Sequence, residues 1–273
     1  MFPSGIMDKI RIVAEEYSGE GISRDLARGL LVYYGNCNLT GEGMGIGSIA
    51  LRDSQSTYFS RSWKDSTEPG ILRRTFILDT RIRWSIQGKT SGLLTRWIES
   101  GVSIYMHLPS FQNIFMLPVL PLRNLLHIHP LFETISPRGK VTFTYRVTGA
   151  SVDVQAEIDM QVSRQDTICL LNELSAIWFT AGEDGKRLTS PLPGWEKVRS
   201  SRMPASLVDP VHGIRFSISQ PSVSLPVPFT IYRGRELNGD HCWAGFCLQL
   251  GTLDNSQGLP RVQYCIGFTS GVC

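Results

Sequence analysis

Two long alternations of period two, separated by four small residues, dominate the middle of this chain. From Val152 to Val162 one side carries Val152, Val154, Ala156, Ile158, Met160 and Val162, and the other carries Asp153, Gln155, Glu157, Asp159 and Gln161. Just upstream, Val141, Phe143, Tyr145 and Val147 alternate with Thr142, Thr144 and Arg146. A period of two places successive side chains on opposite faces of an extended strand, so each segment reads as a strand with one buried face. The link Thr148-Gly149-Ala150-Ser151 predicts a short hairpin between them.

The same reading extends along the chain. Phe76, Leu78, Thr80, Ile82, Trp84 and Ile86 form one stripe, Cys242, Ala244, Phe246, Leu248 and Leu250 a second, and Val262, Tyr264, Ile266 and Phe268 a third. His212, Ile214, Phe216 and Ile218, together with Gly45 to Arg52 and Val102 to His107, bring the expectation to about eight strands. Helical signals are few: Arg24 to Arg28 behind Ser23, and Gly92 to Ser100 before Gly101. Leu170 to Phe179 fits a helix or a buried strand equally well, and the polar stretch from Gly182 to Leu207 reads as a long loop. Antiparallel strands with one apolar face close into a barrel or stack into a sandwich, which protects their edges. The expected fold is therefore all-β, an antiparallel barrel or sandwich, lipocalin-like, with a few short helices. It forms a single domain over residues 1–273 with an N-terminal extension over about residues 1–28.

Composition narrows the function classes. Hydrophobic residues make up 42% and the formal net charge is +3. That excludes a disordered chain and gives no surplus of positive charge for a nucleic-acid binder. The first residues carry acidic side chains where a secretory signal needs an apolar core, and no two of the six cysteines form a C-x-x-C pair. A cytoplasmic protein with free thiols is expected. Val102 to Leu120 is the most apolar stretch, but Pro109 and Pro118 and the polar His107, Gln112 and Asn113 interrupt it, so no stable membrane insertion is expected.

Among chemistry-bearing patterns, His127-Ile128-His129 with Glu133 is the sharpest. His-x-His on a strand puts both imidazoles on one face, and a nearby carboxylate can complete a facial metal site. This dozen residues resembles the first motif of the cupins, a metal-binding barrel family. Its second motif is absent, so a cupin-like metalloenzyme is an alternative only, and no metal is assigned. The glycines from Gly41 to Gly47 precede a strand rather than a helix, which rules out a phosphate-cradling loop and predicts a tight turn or bulge. Arg73, Arg74, Arg81 and Arg83 read as a solvated face, with Asp79 as an ion-pair partner. No G-x-S-x-G elbow is present, which argues against an α/β-hydrolase.

Leu30 to Arg52, Phe76 to Ile86 and the paired alternations from Val141 to Val162 together resemble β-rich tailoring proteins of fungal natural-product pathways, namely pericyclases of the lipocalin-like Diels–Alderase kind. The resemblance is one of overall pattern and carries no individual residue over. It implies cofactor-free cyclisation of a hydrophobic small molecule, a terpenoid or polyketide intermediate. Such a reaction needs apolar walls that hold a near-attack conformation and one or two donors that polarise a carbonyl. Trp84, Met160, Phe246 and Tyr264 are the candidate substrate-binding residues, and His127, His129 and Tyr145 the candidate catalytic donors. A lipocalin-like carrier without turnover is the other alternative.

Overall fold

The computed structural model describes residues 9–14, 26–53, 56–86, 128–160, 162–163, 166–182, 185, 188, 194–238, 241–251 and 259–270. For residues 84–86, 128–130, 194–195, 238 and 241 the backbone alone is described. Among these residues the chain runs β1 (Ile10–Val13), β2 (Leu31–Tyr34), β3 (Cys37–Asn38), β4 (Gly45–Arg52), β5 (Thr57–Phe59), β6 (Ser62–Glu68) and β7 (Ile71–Ile77). It continues through β8 (Thr80–Ile86), β9 (Ile128–Thr134), β10 (Gly139–Thr148), β11 (Ser151–Met160), β12 (Thr167–Leu174), β13 (Ala181–Gly182) and β14 (Gly194–Lys197). The last six are β15 (Ala205–Asp209), β16 (Ile214–Ile218), β17 (Ser222–Val223), β18 (Phe229–Asn238), β19 (His241–Leu250) and β20 (Arg261–Ser270).

Alternation makes the strands, and it makes them in pairs. Val141 to Val147 and Val152 to Ile158 stand in antiparallel register through the predicted hairpin, whose Gly149 takes φ +58°. That hairpin is the middle of a nine-stranded sheet ordered β13-β15-β16-β20-β11-β10-β7-β6, with β17 also on β20. A second sheet of eight strands runs β14-β18-β19-β12-β4-β5-β8-β9, and β1-β2-β3 form a small third one. Among the described strands neither large sheet returns to its first strand, so neither is closed into a barrel. Of the two expected arrangements, the antiparallel sheets face one another. Tyr145 of β10 reaches Gly47 of β4, and Phe216 of β16 meets Phe246 of β19 with ring centroids 5.1 Å apart.

The space between the sheets is filled by fully buried side chains, among them Phe76, Phe143, Tyr145, Phe216, Phe246 and Phe268. Each such side chain contributes roughly 1.5–3 kcal/mol by leaving water. A second, smaller apolar cluster lies on the opposite face of the eight-stranded sheet: Leu26, Met44, Ala50, Cys169, Leu171 and Cys247, packed by Phe59, Phe132 and Tyr232.

Several expectations change. Phe76 to Ile86 is not one strand: the chain breaks at Leu78–Asp79 and passes from one sheet to the other. Leu78 N–H donates to Gly139 O and Ile135 N–H to Asp79 O, while the Asp79 carboxylate accepts from Arg61 N–H and Ser62 Oγ–H. Burial alternates unbroken through Phe76, Leu78 and Thr80, so a period-two stripe does not reveal the corner. The stretch from Gly182 to Leu207 contains β14 and the start of β15. Leu170 to Leu174 lies in strand β12 and a turn follows at Ala176. Part of the expected N-terminal extension, Ile10 to Val13, is a strand paired with β2. Leu26 to Gly29 form no helix, the rest of that candidate and the segments Gly92–Ser100 and Val102–His107 lie outside the described residues, and the described helical structure is a 3-10 turn at Ser200–Arg202 and a 3-10 residue at Lys9. No helix among the described residues is long and apolar enough to cross a membrane.

Candidate functional site

Two of the predicted site residues meet at a distortion in β4. Leu171 of β12 pairs with Ser48 and Asn172 pairs with Ile46, so Gly47 is an extra residue that bulges out of the ladder. Gly47 takes φ +70°, and a Cβ there would stand 2.5 Å from Tyr145 Cε1. The bulge frees both backbone groups of Gly47 from the ladder. Its N–H donates to Asn172 Oδ1 at 3.0 Å, and its carbonyl accepts the Tyr145 hydroxyl at 2.5 Å. Tyr264 from β20 donates to the same Asn172 Oδ1 at 3.2 Å. Tyr145, Asn172 and Tyr264 thus tie the two sheets together through one buried polar network. Burial pushes both phenols well above their usual range, so both remain protonated donors.

Of the remaining candidates, two are described with their side chains, and neither joins the network. Met160 and Phe246 are buried among the packed side chains between the sheets. Trp84 stands in β8 opposite Pro130, and His129 stands in β9 opposite Ser85, with both side chains outside the description. His127 lies outside the described residues altogether. Pro130 fits a strand here because β9 is a sheet edge, where a missing N–H breaks no ladder. Glu133 sits opposite Arg81 and binds it at 2.6 Å, and this hydrogen bond holds its carboxyl below the ordinary range. Arg73 pairs with Glu68, and Arg74 pairs with Asp65 through two bonds of 2.6 and 2.8 Å; Arg74 is buried, so it is not part of the solvated face expected from sequence.

On the outer face of the eight-stranded sheet the residues assemble differently. Strand parity sends Ile168, Leu170, Asn172 and Leu174 inward, and Cys169, Leu171 and Glu173 outward. Glu173 pairs with Gly45 on one side and Gly245 on the other, and Gly245 pairs with Gly234. Three of the four positions in this row bear no side chain, and the backbone of Gly29 and Leu30 packs against Gly45. The neighbouring row, Ser48-Leu171-Cys247-Tyr232, forms an apolar bank, and Trp243 with Glu236 forms a polar one on the far side. Trp243 Nε1 donates to Glu236 Oε2 at 3.0 Å.

Glu173 is 6% exposed. Burial raises its pKa to about 7, a rise the Met44 N–H and Arg28 oppose and Glu236 reinforces. Met44 N–H donates to Glu173 Oε2 at 3.2 Å. Arg28 is itself buried, and its Nη2 donates to the carbonyls of Gly41 and Gly43. Arg74 Nη1 in turn holds the Arg28 carbonyl at 2.7 Å. The Ser48 hydroxyl is fully buried and has no hydrogen-bond partner among the described residues. On the apolar bank Cys169 and Cys247 share a hydrogen bond that draws the Cys169 thiol down and pushes Cys247 up. The described cysteines carry no disulfide.

No protein-family model, no curated protein and no solved structure matches this chain. The site therefore rests on its own geometry. Glu173 escaped the sequence reading because Leu170 to Phe179 fits two secondary structures, and Asn172 and Glu173 separate to opposite faces only once the segment is a strand. The signal was present: Asn172 and Glu173 are adjacent polar residues inside an apolar run, and buried polar groups demand partners.

Proposed function

We propose that this protein is a cofactor-independent isomerase or cyclase acting on a hydrophobic small molecule, with Glu173 as its acid–base group. An intramolecular Diels–Alder cyclisation of a terpenoid or polyketide intermediate, as the sequence resemblance suggests, is the specific form of this reading. The observation that carries it is a buried, glycine-flanked carboxyl at the border of an apolar patch. A carboxyl with a pKa near 7 is populated in both forms at neutral pH, which suits proton transfer or donation to a carbonyl. In the protonated form Glu173 donates a hydrogen bond to a substrate carbonyl as charge develops on its oxygen. Leu171, Cys247 and Tyr232 beside it offer the apolar wall that holds a hydrocarbon chain bent for ring closure. The site residues expected from sequence enter differently: Tyr145 and Tyr264 hold the bulge from behind rather than touch the substrate.

The test is turnover of linear polyene substrates bearing one activated carbonyl, followed by product chromatography. Glu173→Gln is expected to lower kcat by about 10²-fold with a smaller change in KM, and wild-type kcat is expected to fall as pH rises through about 7. Tight binding of such substrates with no product from wild-type protein would reject turnover and leave a carrier. Undiminished turnover in Glu173→Gln would reject the site.

A further inference from the structure

The nine-stranded sheet carries a second feature, on its outer face and far from Glu173 in the fold. A groove of about 410 Å³ opens there across β10, β11 and β20. Ser219 and Gln220, between β16 and β17, bound it along the β20 edge, and Ile71 at the start of β7 bounds the other side. Its floor is laid out by register. Thr144, Gln155 and Gln263 stand side by side in one row, and Arg146, Asp153 and Cys265 in the next.

Neighbouring strands present these groups every 4.7–4.9 Å or so, which is close to the width of a pyranose ring. Gln263 Nε2 donates to Gln155 Oε1 at 2.9 Å. That bond fixes both amides, leaving the Gln155 NH₂ with a donor and the Gln263 oxygen with an acceptor to offer. Thr144 adds a hydroxyl that serves in either sense. Arg146 and Asp153 face each other across the strands, so their charges cancel and the groove has no net charge to attract an ion. A fixed array of amide, hydroxyl and balanced charged groups, in a trough of this size, matches the alternating donors and acceptors of a neutral polyhydroxylated ligand.

We propose that this groove binds a neutral oligosaccharide, independently of the chemistry at Glu173. The probes are four defined hexasaccharides, of β-1,4-glucose, α-1,4-glucose, β-1,4-N-acetylglucosamine and β-1,4-mannose, each titrated calorimetrically into the full chain. One series is expected to bind with a Kd between about 10 µM and 1 mM. Gln155→Leu and Arg146→Ala are each expected to weaken it about tenfold or more, because each removes hydrogen bonds to the ligand. Arg146 is exposed and Gln155 only half-buried, so both variants are expected to keep the wild-type Tm. Glu173→Gln is expected to bind as wild type does, which separates this site from the proposed catalytic one. No binding of any probe up to about 10 mM overturns the proposal, as does an affinity that neither groove variant changes.

Discussion

Replacing Tyr145 with phenylalanine isolates what the bulge at Gly47 requires. The phenol is fully buried and its single described bond is to the Gly47 carbonyl, whose ladder partner the bulge has removed. Tyr145→Phe keeps the ring and its stacking on Phe143, at a centroid distance of 5.9 Å, while leaving that carbonyl buried and unpaired. A buried acceptor that loses its partner costs about 1–3 kcal/mol. Tyr264→Phe is the control. Asn172 Oδ1 still accepts the Gly47 N–H when the Tyr264 hydroxyl is gone, so the loss is an ordinary net hydrogen bond of about 0.5–1.5 kcal/mol. At roughly 2–4 °C per kcal/mol for a chain of this size, Tyr145→Phe lowers Tm by about 2–12 °C. Urea denaturation with an unchanged slope gives the free energies directly. Equal stability of Tyr145→Phe and wild type, or a larger loss in Tyr264→Phe, would refute the assignment of the bulge as a side-chain-satisfied distortion.

Other outcomes follow from the same geometry. Gly47→Ala combines a φ of +70° with a Cβ 2.5 Å from Tyr145 Cε1, and is expected to exceed the loss in Tyr145→Phe, measured by the same denaturation. Arg74→Ala removes a buried guanidinium from Asp65 and from the Arg28 carbonyl and is expected to cost about 2–4 kcal/mol, whereas Arg73→Ala at an exposed pair costs less than about 1 kcal/mol. Glu173 has a folded pKa raised from 4.5 to about 7, so the folded state binds the extra proton between those values. Its contribution is complete below about pH 4.5 and is lost as pH rises through 7, amounting to about 3 kcal/mol. Glu173→Gln is therefore expected to gain stability over wild type at pH 8 and to show no gain at pH 4.5, read from Tm against pH.

The strands were legible where one face is buried. Val141 to Tyr145, Val152 to Ile158 and Val262 to Phe268 alternate in burial as they do in the sequence, whereas Val147 is exposed and Ala244 to Leu248 is buried on both faces of its sheet. Strand β6, Ser62 to Glu68, left no such trace: every residue is exposed, and it is recognisable only as a charged strand guarding a sheet edge. The passage of the chain between sheets at Leu78–Asp79 was hidden for the opposite reason, since burial continues through the corner. The glycines at 45 and 47 did announce a bulge, but which side chains would satisfy it depended on strands far away in sequence. Tyr145 and Tyr264 were picked as polar-tipped aromatics on apolar faces, and the structure puts them on one network; His127 and the side chains of His129 and Trp84 lie outside the described residues. Glu173 became visible only when register showed glycines on both sides of it.

Whether the Glu173 carboxyl exchanges its proton near neutral pH can be measured without knowing the substrate. Glutamate labelled with ¹³C at Cδ, followed by NMR from pH 4 to pH 9 in wild type and in Glu173→Gln, reads each carboxyl separately. One resonance is predicted to titrate with a midpoint of about 7 and to be missing from the variant. If every glutamate titrates within the ordinary carboxylate range, with midpoints near about 4 to 5, Glu173 is no acid–base group at neutral pH and the proposed chemistry fails.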